Sequence, residues 1–347
     1  MLVDATVAPI LPAAHLSLGD TGVTAFVAAD PRGMRAAVDV RGGGPGTRET
    51  DLLAPHNTVE RVHAILLCGG SAFGLAAADG AMRELESRGR GFPVFGEGVP
   101  GPRVPIVPAA VIFDLAVGDP SHRPTASDGA AAVAAALEDT AGEPLASGSV
   151  GAGCGATAGV LRGGFGIASR AVELPGARRS ATVTAAVVAN PVGSVVDPAT
   201  GLLFGDASKP AVDLERYRTL QRPAPGSGAP DPRLNTTIGM VATDVDLPVP
   251  QLQRLAMTGH DGIARAIRPA HSPLDGDTLF AVSVPKDDGQ DAGGQRDAGQ
   301  PLAPEALAHL GGAAADAVEA AIVDAVCSAT GGFGVTAWSD VVAGGRR

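Results

Sequence analysis

The sequence predicts stacked β-sheets covered by helices, and three observations carry that reading. Its strand candidates are continuous apolar runs rather than alternating ones, the mark of strands buried on both faces. Helical segments lie between those runs, as layered folds require. Of the 347 residues, 45% are hydrophobic, yet aromatics make up only 3% and glycines number 48. The core therefore has to be built from Ala, Val, Leu and Ile with backbones packed close together. Length alone suggests about two domains, a soft prior only.

The elements follow in order. "VHAILLCGG" (62–70) reads as a buried strand ending in glycines. "SAFGLAAADGAMRELESRG" (71–89) reads as a helix with Ser71 as N-cap and Leu75, Ala78, Met82 and Leu85 as its apolar stripe. "PIVPAAVIFDLAVG" (105–118) is a second buried strand region, and "SDGAAAVAAALED" (127–139) an Ala-rich helix capped by Ser127 or Asp128. "SATVTAAVVANPVGSVVDPATG" (180–201) is a strand, a break at Asn190-Pro191 and a hairpin-like piece. "TTIGMVAT" carries a strand over 237–243. An amphipathic helix over 249–268 turns Leu252, Leu255, Ala256, Ile263 and Ile267 to one side. A strand over 278–284 and a long helical region over 302–329 close the chain. Two stretches, 206–234 and 285–301, are linker-like by composition. No internal repeat is visible.

The net charge is −11. The charges are dispersed, no basic stripe stands out, and nucleic acid is not an expected partner. Only two lysines occur, Lys209 and Lys286, so Arg supplies nearly all positive charge. Cys68, Cys154 and Cys327 are too few and too scattered for a disulfide framework or a zinc site. Cys68 could be a thiol nucleophile, but a small core residue suits its setting better. The N-terminus lacks the basic start of a signal peptide, and no apolar run reaches the ~18 residues needed to span a bilayer. A cytoplasmic protein without membrane partner is expected.

Three segments invite a chemical reading. "GSVGAGCGATAG" (148–159) looks like a dinucleotide loop. Such a loop should close a strand and open a helix. Here it leads toward another extended run, and Glu173, about 20 positions on, has no βαβ unit around it. Packing glycines are the better reading. At "LLCGGSAFGL", the amides of Gly69, Gly70 and Ser71 could hold a carboxylate or an oxyanion. An ordinary glycine turn fits as well, and the G-x-S-x-G spacing of a nucleophile elbow is absent.

The third is "RLNTTIGMVATD" (233–244), where a Pro/Gly-rich segment meets a strand at Asn235-Thr236-Thr237. A Thr hydroxyl is a weak nucleophile unless it becomes the first residue of a chain, with its own α-amine as base. That amine has a reference pKa of about 7.7–8.0. An internal Thr reaches this state by attacking the carbonyl before it, and water then opens the ester. The needs are a flexible approach, a hydroxyl residue and a rigid strand behind it. Residues 222–244 offer all three. Asn235 also fits the end of a turn, and Asn-Thr-Thr fits a glycosylation pattern that matters only in a secreted protein.

"RLNTTIGMVATD" followed by "GHDGIARAIRPAHSPLDGDTLFAV" resembles the autoproteolytic L-aminopeptidase/D-esterase family, which includes β-peptidyl aminopeptidases and nylon-oligomer hydrolases. The resemblance continues through 41–89, "VPIVPAAVIFDL", "GSVGAGCGATAG" and "VVANPVGSVVDPATG", and covers about residues 19–342. It implies an α+β fold, a four-layer αββα sandwich of the DmpA and ornithine acetyltransferase type, as one domain over 1–347. It implies cleavage of the Asn235–Thr236 bond into an α-chain, 1–235, and a β-chain, 236–347, with Thr236 as nucleophile. The chains would stay associated, as a homo-oligomer of four αβ units. The substrate would be a short peptide or small amide, with no cofactor and no metal. Asn190 matches the family's active-site Asn, an oxyanion donor by type. Asp275 and Asp277 match acidic positions of the nylon-hydrolase branch, where they would orient and stabilise the α-amine of Thr236. A plain Asp-Gly turn before the strand is the other reading of that pair. Arg162, in "LRGGFGIAS", stands where that branch has Lys. Arg cannot serve as a base but can stabilise negative charge. His260 and His271 fall in matched sequence, and structural roles are expected because the nucleophile brings its own base. Two other activities stay open: acyl transfer of the ornithine acetyltransferase type, and ligand binding by an uncleaved chain.

Overall fold

The computed structural model describes residues 3–4, 11–138, 145–175, 180–221, 235–285 and 301–343. The main strands are β1 (Ala13–Ser17), β2 (Gly22–Val27), β3 (Met34–Val40), β4 (Ala64–Cys68), β5 (Ala109–Val111), β6 (Gly164–Val172), β7 (Ala181–Ala189), β8 (Ile238–Thr243) and β9 (Thr278–Ser283). The main helices are α1 (Ala77–Ser87), α2 (Ala126–Glu138), α3 (Val249–Ala266) and α4 (Pro304–Ser328). The larger sheet runs Val3–Asp4, β6, β7, β8, β9, β3, Arg61–Val62. The smaller runs β1, β2, β4, β5, Thr47–Arg48. Only β8/β9 and β4/β5 pair parallel; the other pairs are antiparallel.

Side-chain alternation explains why the strands read as unbroken apolar runs. Along β7, β8 and β9, Val188, Met240 and Phe280 point between the sheets, where they meet Phe26, Ile65 and Leu67 of the smaller one. Their neighbours Val187, Val241 and Leu279 point outward, against Leu252, Leu255 and Ile263 of α3 and Leu310 and Val318 of α4. The smaller sheet turns Leu66 and Ala109 outward onto Ala78, Leu85 and Val133 of α1 and α2. Helix, sheet, sheet, helix is the four-layer αββα order expected. The Ala/Gly-rich composition has a direct use here. A Cβ at Gly166 in β6 would lie 2.1 Å from the Ala321 carbonyl oxygen, so α4 sits directly on strand backbone.

Several element boundaries differ from expectation. The 105–118 strand shrinks to β5, since Pro105 and Pro108 have no N–H for a ladder. Ser71 does not cap an α-helix. Gly70 and Ser71 both take left-handed φ, 81° and 52°, and a tight 3₁₀ turn over Ser71–Ala76 leads into α1. α2 begins one residue early, and Asp128 accepts from the amide and hydroxyl of Thr125, just before the helix, at 2.8 and 2.6 Å. The linker-like 206–234 contains a short helix, Leu214–Leu220, capped by Asp213 and anchored by buried Tyr217, whose hydroxyl bonds Ser194 at 2.8 Å. Residues 222–234 and 286–300 lie outside the described residues. Among the described residues, no helix is long and apolar enough to cross a membrane.

Candidate active site

Strand register assembles the site. The antiparallel pairing of β7 with β8 sets Val188 opposite Ile238, so Asn190 comes level with Thr236, and the Thr236 amide donates to the Asn190 carbonyl at 2.7 Å. The parallel pairing of β8 with β9 sets Ile238 beside Thr278. Asp277 therefore lies next to Thr237, and Asp275 forms a bridge with Asn235. Thr236, Asn235, Asn190, Asp275 and Asp277 thus meet at one end of the larger sheet, and none is more than 6% exposed.

The Thr236 hydroxyl donates to the carbonyl oxygen of Asn235 at 2.6 Å. Its oxygen lies 2.8 Å from where a Cβ on Gly276 would sit, so the absence of a side chain at 276 makes its room. The Asn235 side chain donates Nδ2 to the Pro191 carbonyl at 3.0 Å and the Thr157 hydroxyl at 3.4 Å. The Asn190 side chain accepts from the Thr157 amide at 2.8 Å and donates to the Phe113 carbonyl at 3.1 Å. Asn190 thus meets Thr236 through its main-chain oxygen, while its side chain ties the two sheets together.

The two carboxylates brace backbone around the site, Asp277 directly beside the Thr and Asp275 in the segments after Asn190 and before β9. Asp277 accepts from the Thr237 amide at 2.8 Å, and from the amide and Nδ1 of His271 at 3.0 and 2.8 Å. Asp275 accepts from the amides of Val192 and Ser272 at 3.2 and 2.9 Å. Neither bonds Thr236 itself: Asp277 acts one residue away from it, and Asp275 through the Val192 and Ser272 amides. Arg162 is 1% exposed and donates Nη2 to the Cys154 carbonyl and, at 3.4 Å, to the Ser149 hydroxyl. Its Nε and Nη1 are buried without a partner, so a guanidinium lies in the interior with no carboxylate beside it among the described residues. Thr157 is its antiparallel partner, which places Arg162 one strand from the residue that touches both Asn190 and Asn235.

The expectation for Gly69, Gly70 and Ser71 is corrected. All three amides are occupied: Gly69 donates to the Gly22 carbonyl at 2.9 Å, Gly70 to Asp114 at 2.6 Å and Ser71 to the Ile112 carbonyl at 2.9 Å. Sheet pairing and one buried carboxylate leave no amide there for an anion. Asp114 also accepts from the Thr21 hydroxyl at 2.8 Å, and burial pushes its carboxyl up to about 6 despite those bonds. The Gly-rich 148–159 segment turns through Gly151–Gly153 and leads into β6, not a helix, in line with the packing reading. Cys68 is a fully buried core residue whose thiol is pushed up by burial.

Sequence reasoning missed Thr157, Gly276 and Asp114. Thr157 and Asp114 meet their partners across long chain separations that no local pattern encodes. Gly276, between the two aspartates, had a visible signal in its spacing. His271 was expected to be structural, yet it binds the carboxylate that holds Thr237. His260 does fit a structural role: it is fully buried, donates Nε2 to the Asp39 carbonyl at 3.1 Å, and burial pushes it down to about 4.

The profile of peptidase family S58 matches residues 10–337. An uncharacterized aminopeptidase of Mycobacterium leprae is 46% identical over 357 residues, spanning 97% of this chain and 93% of its own length. A 6-aminohexanoate-oligomer endohydrolase of Kocuria sp. is 32% identical over 284 residues, 78% of this chain and 71% of its own. Among solved structures, an L-aminopeptidase D-Ala-esterase/amidase from Ochrobactrum anthropi, described as a variant of the Ntn-hydrolase fold, matches with a TM-score of 0.67 at 23% identity, over 94% of this chain and 89% of that one. A β-aminopeptidase of a Burkholderia species matches with a TM-score of 0.65 at 24% identity, over 95% and 89%. The two structures agree on the fold, and the family rests on the sequence matches: the chain belongs to peptidase family S58 and is a hydrolase of amide bonds.

Proposed function

We propose that this chain cuts itself between Asn235 and Thr236 and then works as an aminopeptidase through Thr236. The observation that carries this is the Thr236 hydroxyl lying on the carbonyl of the preceding residue at the mouth of a central strand. The Thr236 oxygen attacks the Asn235 carbonyl carbon. The peptide nitrogen leaves with a proton, and Asn235 is joined to Thr236 as an ester. Water opens the ester, giving an Asn235 carboxylate and a free Thr236 α-amine. The same oxygen then takes the acyl group of a substrate amide, the amine product departs with a proton, and water completes turnover.

In this scheme the Asn190 main-chain oxygen, already 2.7 Å from the Thr236 nitrogen, holds the new amine. Asp277 and Asp275 fix the backbone around it and favour its protonated form. The Asn190 side-chain N–H not given to the Phe113 carbonyl, and the unpartnered Nε and Nη1 of Arg162, stabilise negative charge on the tetrahedral oxygen. Residues 1–235 and 236–347 stay packed as one αββα unit, and four such units assemble. Substrates are short peptides or small amides with a free amine, and 6-aminohexanoate oligomers belong on the test panel because a relative is named for them.

Intact mass of purified protein tests the reading. Two masses are expected, the second chain beginning Thr-Thr-Ile-Gly. Thr236→Ala should abolish both cleavage and hydrolysis, and Thr236→Ser should retain part of each because the hydroxyl survives. An intact chain after long incubation at neutral pH would sink the proposal. Turnover with and without an added amine acceptor separates hydrolysis from acyl transfer.

A further inference from the structure

His271 occupies an unusual position. Its φ is 55°, a left-handed conformation that few non-glycine residues adopt, His, Asn and Asp more readily than the rest. That backbone lets its amide and its ring Nδ1 close together on one oxygen of Asp277, at 3.0 and 2.8 Å. The other oxygen of Asp277 receives the Thr237 amide at 2.8 Å. Asp277 is 1% exposed, so with both oxygens occupied it has no freedom to turn.

The ring chemistry follows. An ionised carboxylate only accepts, so the Nδ1 of His271 carries the proton. Its Nε2 is buried without a partner. Behind it stands His260, edge to face at 4.9 Å between ring centroids. His260 donates Nε2 to the Asp39 carbonyl, so its own buried, unpartnered Nδ1 is also bare. The second ring therefore packs the first into one orientation without competing for its proton.

The geometry points to His271 as a positioning residue for the cleavage and hydrolysis proposed above. It locks Asp277 so that the Thr236–Thr237 peptide, and with it the Thr236 hydroxyl, is held against the Asn235 carbonyl. The inference rests on that proposal. It adds a residue six positions from Asp277 that acts only through Asp277.

Three substitutions separate positioning from packing. Asn keeps a donor at the place of Nδ1 and tolerates left-handed φ. Gly tolerates that φ but has no donor. Gln nearly fills the volume but moves its amide outward. The readouts are the rate of self-cleavage by intact mass, then kcat and KM of the cleaved protein on a short peptide, with thermal midpoints as a folding control. His271→Asn should recover most of the wild-type rate. His271→Gly and His271→Gln should lose at least about tenfold in cleavage and kcat, the effect of one charge-assisted hydrogen bond, with KM little changed. If Gly works as well as Asn, only the backbone matters and the inference falls. It falls too if all three variants match wild type. A wild type that never cleaves would instead overturn the function proposed above. Should the variants misfold, nitrogen-15 NMR of the otherwise unaltered Thr236→Ala precursor decides. A His271 proton on Nδ1, shifted by the carboxylate, is expected, and a proton on Nε2 would overturn the assignment.

Discussion

Replacing Gly276 with Ala tests the geometry around Thr236 while leaving every reactive group in place. A methyl carbon there would lie 2.8 Å from the Thr236 hydroxyl oxygen, 2.8 Å from the Gly44 carbonyl oxygen and 3.0 Å from the Pro45 Cα. Ordinary contact begins near 3.4 Å, so something must yield by about 0.6 Å. The φ of Gly276 lies outside the left-handed region, so the backbone accepts Ala and the whole effect is steric. The 42–46 loop is held by the Gly44 amide on the Asp275 carbonyl at 2.8 Å, which makes the hydroxyl the easier part to move. Misplacing a reacting atom by 1 Å costs about a hundredfold, so self-cleavage should slow about tenfold or more. The strain should cost about 1–3 kcal/mol. Fresh protein would be followed by intact mass over time at neutral pH. Gly44→Ala is the control: its methyl would meet nothing closer than 3.8 Å, and it should cleave like wild type. Cleavage of Gly276→Ala at the wild-type rate would refute the claim that space at 276 sets the position of the hydroxyl.

Arg162→Ala in cleaved protein should lower kcat at least ~10-fold if the buried guanidinium stabilises the tetrahedral oxygen, with Arg162→Lys keeping part; a lower thermal midpoint with unchanged turnover would make Arg162 a packing residue. Asp114 gives a pH signature. Its folded pKa is raised to about 6, so its contribution is fully present below the unfolded value near 4 and is lost as pH rises through about 6. Relative to Asp114→Asn, wild-type stability by urea unfolding should therefore fall between pH 4 and pH 6, by up to about 3 kcal/mol; parallel profiles would contradict the assignment. The buried His15, His63 and His260, each pushed down to about 4, act in the opposite sense in both proteins and cancel in that difference. Gly312 is an exposed mid-helix residue of α4 with open space at its Cβ. Gly312→Ala should raise stability by about 0.5–1 kcal/mol without changing cleavage, checked by thermal unfolding.

What was legible in the sequence was whatever depends on local pattern. The run from Ile238 to Thr243, the apolar stripe of α3 and the long α4 could be read from composition and periodicity, and so could the Thr at the mouth of its strand. The four-layer order came from resemblance, because periodicity cannot say which face of a doubly buried strand meets a helix. What failed was set by partners far along the chain. Nothing near Gly70 announces Asp114, and nothing near Ser71 announces the Ile112 carbonyl, so amides that looked available were occupied. The same holds for Thr157, whose link to Asn190 and Asn235 exists only after β7 and β8 pair. Asp275 and Asp277 were legible as a pair, but their partners in the intact chain were not: Asp277 takes the Thr237 amide, and Asp275 the Val192 and Ser272 amides.

The strand order of the larger sheet has a consequence for the life of the molecule if the proposed cut between Asn235 and Thr236 is made. β8 and β9, both from the C-terminal piece, lie side by side, with β7 on one flank and β3 on the other, both from the N-terminal piece. The smaller sheet belongs wholly to the N-terminal piece, but in the larger one the two products are interleaved like the fingers of clasped hands, and neither holds that sheet alone. Thr236 gains its place only when the ends of β7 and β9 already flank it, so the proposed scission would record that folding has occurred. Unfolding afterwards releases two chains that must find each other again, which makes recovery depend on concentration. Durability then becomes a lifetime governed by the rate of opening rather than an equilibrium free energy. Halves produced separately would each present bare sheet edges and stick to other partners before meeting.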